Sequence, residues 1–379
     1  MIVTSGLAYF TALAMLTPVL PLYVKGPLGG TDTMVGLAIG TLFVGAIVLR
    51  PWAGRVGDRV GRRVLVISGA AIVAGSTALY GLVESFPYLV AMRALTGVGE
   101  AAFFVGAATM VTDIVPAARR GEAISYWSVS VYGGLAFGPA LGEMVHDAGG
   151  FDATWLSAAG LALVAVVLGC FTSDTGRPPA GASSGPLLHR GSIVPGTVMF
   201  SGLIALAGFT AFVALYARRI GLGGADTIFL LYGGIVLAIR VFGARLQDRL
   251  GSVRAGFMAL SGIAGGMIVI ASWGTVTGLY VGTVVYALGA ALLYPAILLL
   301  ALARASDQER ASVVGTVSSF FDLSQGLGSL IVGVVVSAAG YRGGFAFGAG
   351  CALVAIVILR TATRRSRAPV SVPRPEPAL

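Results

Sequence analysis

Residues 50–63 read Arg50-Pro-Trp-Ala-Gly54-Arg55-Val-Gly57-Asp58-Arg59-Val-Gly61-Arg62-Arg63. A degenerate copy, Arg240-Val-Phe-Gly-Ala-Arg245-Leu-Gln-Asp248-Arg249-Leu-Gly251, follows 190 residues later. The same shift places Gly99 on Gly289, Arg120 on Arg310 and Gly138 on Gly328, and Gly-Gly-Thr31-Asp32-Thr matches Gly-Gly-Ala225-Asp226-Thr at 194. Self-similarity at so long a period signals the duplication of a large unit.

Composition says what is duplicated. The chain has 379 residues, 56% apolar and 11% charged, with a mean hydropathy of +0.91. Soluble domains carry about 25% charged residues, and a soluble fold of this make-up would have to expose much of its apolar surface. An ordinary cytosolic enzyme, a disordered chain and a disulfide-stapled module are excluded. A helix of about 20 apolar residues crosses about 30 Å of hydrocarbon. Twelve such runs lie near 3–24, 34–56, 64–83, 87–112, 122–145, 153–172, 193–217, 227–246, 253–273, 276–303, 312–338 and 343–361. Alternating segments of a β-barrel are absent. We therefore expect an all-α membrane protein of twelve transmembrane helices in two pseudo-symmetric six-helix bundles, residues 1–172 and 193–361. A Pro/Gly/Ser-rich linker, 173–192, would join them, and an Arg/Pro-rich tail, 362–379, would follow. The first run lacks a basic flank and a cleavage site and reads as a retained span. Cys170 and Cys351 lie in apolar runs, form no redox or metal spacing and read as small core residues.

Charge sets the expected orientation. Of the 25 Lys and Arg residues, Arg50, Arg93 and Arg240 fall within spans, and Lys25, Arg218, Arg219 and Arg342 lie in one set of loops; the other eighteen lie in the opposite set or the tail. The positive-inside rule puts that majority, and both termini, in the cytoplasm. The net charge of +9 forms no patch or stripe, so nucleic acid is not an expected partner. The expected partners are the bilayer of a bacterial inner membrane and a small-molecule substrate, with the chain acting as a monomer.

The stretch Gly54-Arg55-Val-Gly57-Asp58-Arg59-Val-Gly61-Arg62-Arg63 resembles the loop 2–3 signature of the major facilitator superfamily, and its copy after span 8 lies where that family repeats it. Arg93-Ala-Leu-Thr-Gly97-Val-Gly99 resembles the family's second motif. Gly134-Leu-Ala-Phe-Gly138-Pro139-Ala-Leu-Gly142 resembles the motif associated with its antiporters, although Glu143 follows where the pattern often has another Gly. The resemblance implies a transporter like the 12-span drug:proton antiporters. Residues Gly54, Asp58, Arg59, Gly61, Arg62, Asp113, Asp248 and Arg249 would form an inner gate. Asp58 could bond the free N–H groups that begin span 11, and Arg59 or Arg62 could pair with Asp113. Gly134, Gly138, Pro139 and Gly142 would give a hinge or a close helix crossing.

Two acids survive deep in the spans. Glu100 is about 12 residues into span 4 and Asp322 about 10 into span 11, roughly 18 and 15 Å at the helical rise. Charges there are expensive and usually functional. Arg93, Gly97, Glu100 and Phe104 share one helix face, and Ser318, Asp322, Gln325 and Ser329 repeat the spacing. A shared watered cavity follows, with Glu100, Asp322 and Arg93 as proton-coupling residues; the alternative is a structural Arg93–Glu100 pair. Span 11 offers Asp322 no cation. Arg50 and Arg240 read as snorkelling or bonding carbonyls. Phe103, Phe104, Tyr126, Tyr286, Tyr294 and Phe321, with Ser318 and Gln325, would line the cavity, which suits a hydrophobic or amphipathic solute. Glu143, His146 and Asp147 cluster at the end of span 5, where His146 reads as an exposed loop residue and no metal site is convincing.

The leading expectation is thus proton-driven efflux by alternating access, with the proton gradient as energy source and no cofactor. Uptake of a metabolite, or lipid transport, would use the same fold. A membrane enzyme or receptor is remote: no phosphate-cradling, HExxH or GxSxG motif occurs, and His146 and His189 are expected at opposite faces.

Overall fold

The computed structural model describes residues 1–115, 119–173, 189–242, 250–303, 305 and 309–365; within these, the side chains at 51, 54, 58, 112, 120–122, 124, 125, 310, 311 and 365 are not described. The described residues are mostly helical, without strands among them. We label the α-helices α1 (Ile2–Lys25), α2 (Asp32–Val60), α3 (Arg62–Ala78), α4 (Phe86–Asp113), α5 (Arg120–Cys170), α6 (Ile193–Arg219), α7 (Asp226–Phe242), α8 (Ser252–Ser272), α9 (Val276–Leu302) and α10 (Arg310–Arg365). Nine stretches of described helix are long and apolar enough to cross a membrane, and the described parts of the twelve apolar runs are almost entirely helix. The last helix continues into the expected tail, as far as Arg365.

Helices α5 and α10, of 51 and 56 residues, would each be about 80 Å long if straight, more than twice the hydrocarbon thickness. Each is broken once, at Gly150 (φ 75°) and Gly340 (φ 72°), so each supplies two arms. A positive φ strains any residue with a Cβ, and glycine is what permits the break. These two breaks lie 190 residues apart. So do Gly61 (φ 100°) and Gly251 (φ 73°), which start α3 and α8. The duplication read in the sequence is therefore repeated in the backbone, at turns as well as motifs.

The breaks lie on what we call the kinked face, with the loops after α1 and α6. Met1, Gly61 and His189 lie on the opposite, terminal face. Between halves, α2 packs on α10 and α5 on α7, with α1 touching α6. These contacts are backbone-close: a Cβ on Gly36 would overlap the Ser329 carbonyl, and Ser329 Oγ donates to the Gly36 carbonyl at 3.0 Å. Small-residue spacing allows such approach in lipid. Cys170 is exposed rather than a core residue, and Cys351 is half-buried against the core.

Candidate functional site

Arg50 organises the centre. It lies ten residues before the end of α2, about 15 Å along the axis, matching the depth of Asp322 in its span. Its Nη1 donates to Asp322 Oδ2 on α10, and its Nη2 to Glu100 Oε1 on α4 at 3.1 Å. The three side chains are 19%, 4% and 10% exposed, so the cluster is largely withdrawn from solvent. An isolated charge at mid-bilayer costs about 3 kcal/mol on insertion scales; mutual pairing is what makes three tolerable. Beneath the guanidinium, 4.8 Å from its carbon, lies the ring of Phe104.

This corrects two readings. Arg93 does not meet Glu100. It is buried, and its Nε donates to the Ala38 carbonyl on α2 at 2.9 Å, a helix-to-helix tether. Arg50 neither snorkels nor bonds a carbonyl; it is the cation for Glu100 and for Asp322. Its mid-span depth was a legible signal, but only packing brings α2, α4 and α10 together. Tyr9 was missed altogether: it is fully buried, stacks on Phe103 at 3.7 Å, lies in the field of Glu100 and Arg50, and has a hydroxyl without a hydrogen-bond partner among the described residues.

The expected aromatic lining divides. Tyr294 and Phe321 are half-buried and edge-to-face at 6.0 Å, and the Tyr294 hydroxyl shares a hydrogen bond with Ser318 at 3.1 Å. Gln325, one turn beyond Asp322, is buried. Phe103 and Tyr286 are fully buried in the cores of their halves, Tyr286 against Tyr232 and Phe209, rather than lining a cavity. Tyr126 is 58% exposed near the start of α5.

On the terminal face Arg62 pairs with Asp113 at 2.8 Å, joining α3 to α4 within the first half. Arg59 is exposed, and Gly61 makes the turn. Gly54 and Asp58 lie among the undescribed side chains, and Asp248 and Arg249 outside the described residues. Gly134, Gly138 and Gly142 face α1: an added Cβ would meet Phe10 Cβ at 2.6 Å and Ala14 Cβ at 2.5 Å. This is a close crossing. The helix runs unbroken through Pro139, and its break is Gly150.

The kinked face carries a cluster that was underread. Glu143, at 0% exposure, and Asp147 both accept from Arg218 Nη2 at 3.2 Å, tying α5 to α6. His146 is half-buried, its ring 4.5 Å from that of Phe151, rather than an exposed loop residue. Nearby, Thr33 Oγ1 and Ser337 Oγ share a hydrogen bond at 3.0 Å between α2 and α10.

The family model described as Major Facilitator Superfamily matches residues 2–278 and 262–378. The chain belongs to the major facilitator superfamily. It is a multi-pass membrane transporter with bacterial relatives. One, the uncharacterized transporter YhhS of Escherichia coli, is 28% identical over 387 residues, covering 98% of this chain and 93% of YhhS. Among solved structures, a bacterial homologue of the human lysosomal transporter Spinster, inward-facing and occupied, superposes with a TM-score of 0.79 at 18% identity, covering 96% of this chain and 95% of that one. The human organic anion transporter MFSD10 superposes with a TM-score of 0.71 at 20% identity, covering 94% and 97%. At these identities the structural likenesses concern the fold.

Proposed function

We propose that this transporter is a proton-coupled exporter of hydrophobic or amphipathic small molecules, placed in a bacterial inner membrane with its termini in the cytoplasm. The observation that carries the reading is that one arginine, Arg50, holds an acid from each half. One cation faces two carboxylates, and a proton on either acid balances the cluster. Protonation frees one arm of Arg50. Loss of the Asp322 arm uncouples α10 from α2; deprotonation restores it. The cluster thus links proton occupancy to the relation between halves, which alternating access requires. The Arg218 bridge and the Thr33–Ser337 contact support a kinked face that is shut in this state, leaving the terminal face for entry. The aromatic wall of Phe104, Tyr294 and Phe321 suits an apolar body.

The test is flux in proteoliposomes under an imposed pH gradient, with aromatic amphiphiles as probes and an internal pH dye. Glu100→Gln and Asp322→Asn should each lower gradient-driven flux at least tenfold, about 1.4 kcal/mol in the barrier. Proton movement opposite to the probe marks exchange. Movement in the same direction, or intact coupling in both variants, refutes the reading.

A further inference from the structure

Under the 190-residue repeat, Arg50 corresponds to Arg240, Phe104 to Tyr294, Asp322 to Tyr132 and Glu100 to Ala290. The pairing of elements is repeated across this relation, though the kind of contact differs. Arg50 reaches from α2 to Asp322 on α10; Arg240 reaches from α7 to Tyr132 on α5, its guanidinium carbon 4.1 Å from the ring centre. The acids are not conserved. Where the first arginine meets two carboxylates, the second lies against a phenol ring, and the position that matches Glu100 is Ala290. Among the described residues no carboxylate pairs with Arg240, and its Nε is buried without a hydrogen-bond partner. Both sites belong to one central region, because the Tyr294 hydroxyl lies in the fields of Asp322 and of Arg240.

We propose that Arg240 receives an oxyanion carried by the transported molecule: a carboxylate, sulfonate or phosphate on an aromatic or apolar body. This rests on the transport reading above and narrows its substrate class. A guanidinium fork matches the planar pair of oxygens such groups present. Once Glu100 or Asp322 holds a proton, the Arg50 cluster is neutral, and Arg240 remains a central cation without a carboxylate partner among the described residues, which an anion balances. Beside it, Tyr132, Tyr232, Ile235 and Ile239 pack around Val236 as an apolar wall for the body of the ligand.

The probes are 2-naphthalenesulfonate and 2-naphthalenesulfonamide, which share a ring system and differ in charge. Binding to the full chain in lipid nanodiscs is read by thermal shift without any gradient. The sulfonate should bind at least tenfold tighter than the sulfonamide. Arg240→Gln should abolish that preference, and Arg240→Lys should retain it with weaker binding, a point charge replacing the fork. If Arg240→Gln fails to fold, Arg240→Lys together with Arg240→Glu decides: the first must keep the preference and the second reverse it. Equal binding of both probes to the wild type, no binding of the sulfonate, or an unchanged preference in Arg240→Gln overturns the proposal. A chain that prefers the sulfonate but moves it without a pH gradient refutes the coupling reading alone. A chain that couples sulfonamide flux to protons and ignores the sulfonate refutes the anion site alone.

Discussion

The two faces of the molecule are held differently. On the kinked face the contacts cross between halves: Arg218 to Glu143 and Asp147, Thr33 to Ser337, and the Gly36 backbone to Ser329. On the terminal face the described ion pair Arg62–Asp113 stays within the first half, and the contact of His189 with Glu309 at 3.8 Å stays within the second. The first set governs whether the halves are joined there; the second stiffens each half and is indifferent to their separation. Among the described contacts, those that join the halves on the kinked face are the glycine-close crossing of α2 with α10 and the Arg218 bridge; the side chains of Gly54 and Asp58 and residues Asp248 and Arg249 lie outside the described set.

The sharpest way to break this contrast is Gly36→Leu. A Cβ there overlaps a backbone carbonyl, which cannot rotate away, and overpacking of this kind costs about 1–3 kcal/mol or more. We expect the kinked face to open and flux to fall at least tenfold, with a cysteine at position 33 becoming maleimide-reactive. Next is Arg218→Ala. It strands Glu143, which has no exposure, but Arg218 is itself 33% exposed and water compensates in part. A loss of about 1–2 kcal/mol is expected, read as a lower melting temperature and a partial rise in the same maleimide reactivity. The smallest effect belongs to Asp113→Asn. Its partner pair lies within one half, and with Asp113 30% exposed the cost is about 1 kcal/mol or less. Labelling at position 33 should not change. A rise equal to that of Arg218→Ala would erase the distinction between the faces.

Much of this was legible beforehand. Apolar run length placed the described α-helices, and the repeat anticipated the duplication, because both follow from the bilayer thickness and from chain register alone. Glu100 and Asp322 stood out because depth along a helix is a count of residues. Arg93 misled for a related reason: sharing a helix face with Glu100 says nothing of which way a long side chain turns when a free carbonyl, Ala38, lies on the adjacent helix. Phe103 and Tyr286 were placed at the cavity because an aromatic on an apolar helix reads the same toward core, lipid or water.

By itself, then, the sequence determined the long apolar runs, their arrangement as a duplicated unit, and the depth of each charge along its run, since periodicity and length are properties of a single helix. Only the tertiary structure decided who meets whom: Arg50 between Glu100 and Asp322, Arg218 beside Glu143, and Arg240 over Tyr132. Such partnerships depend on how helices distant in sequence rotate and pack against one another, and no local pattern encodes that.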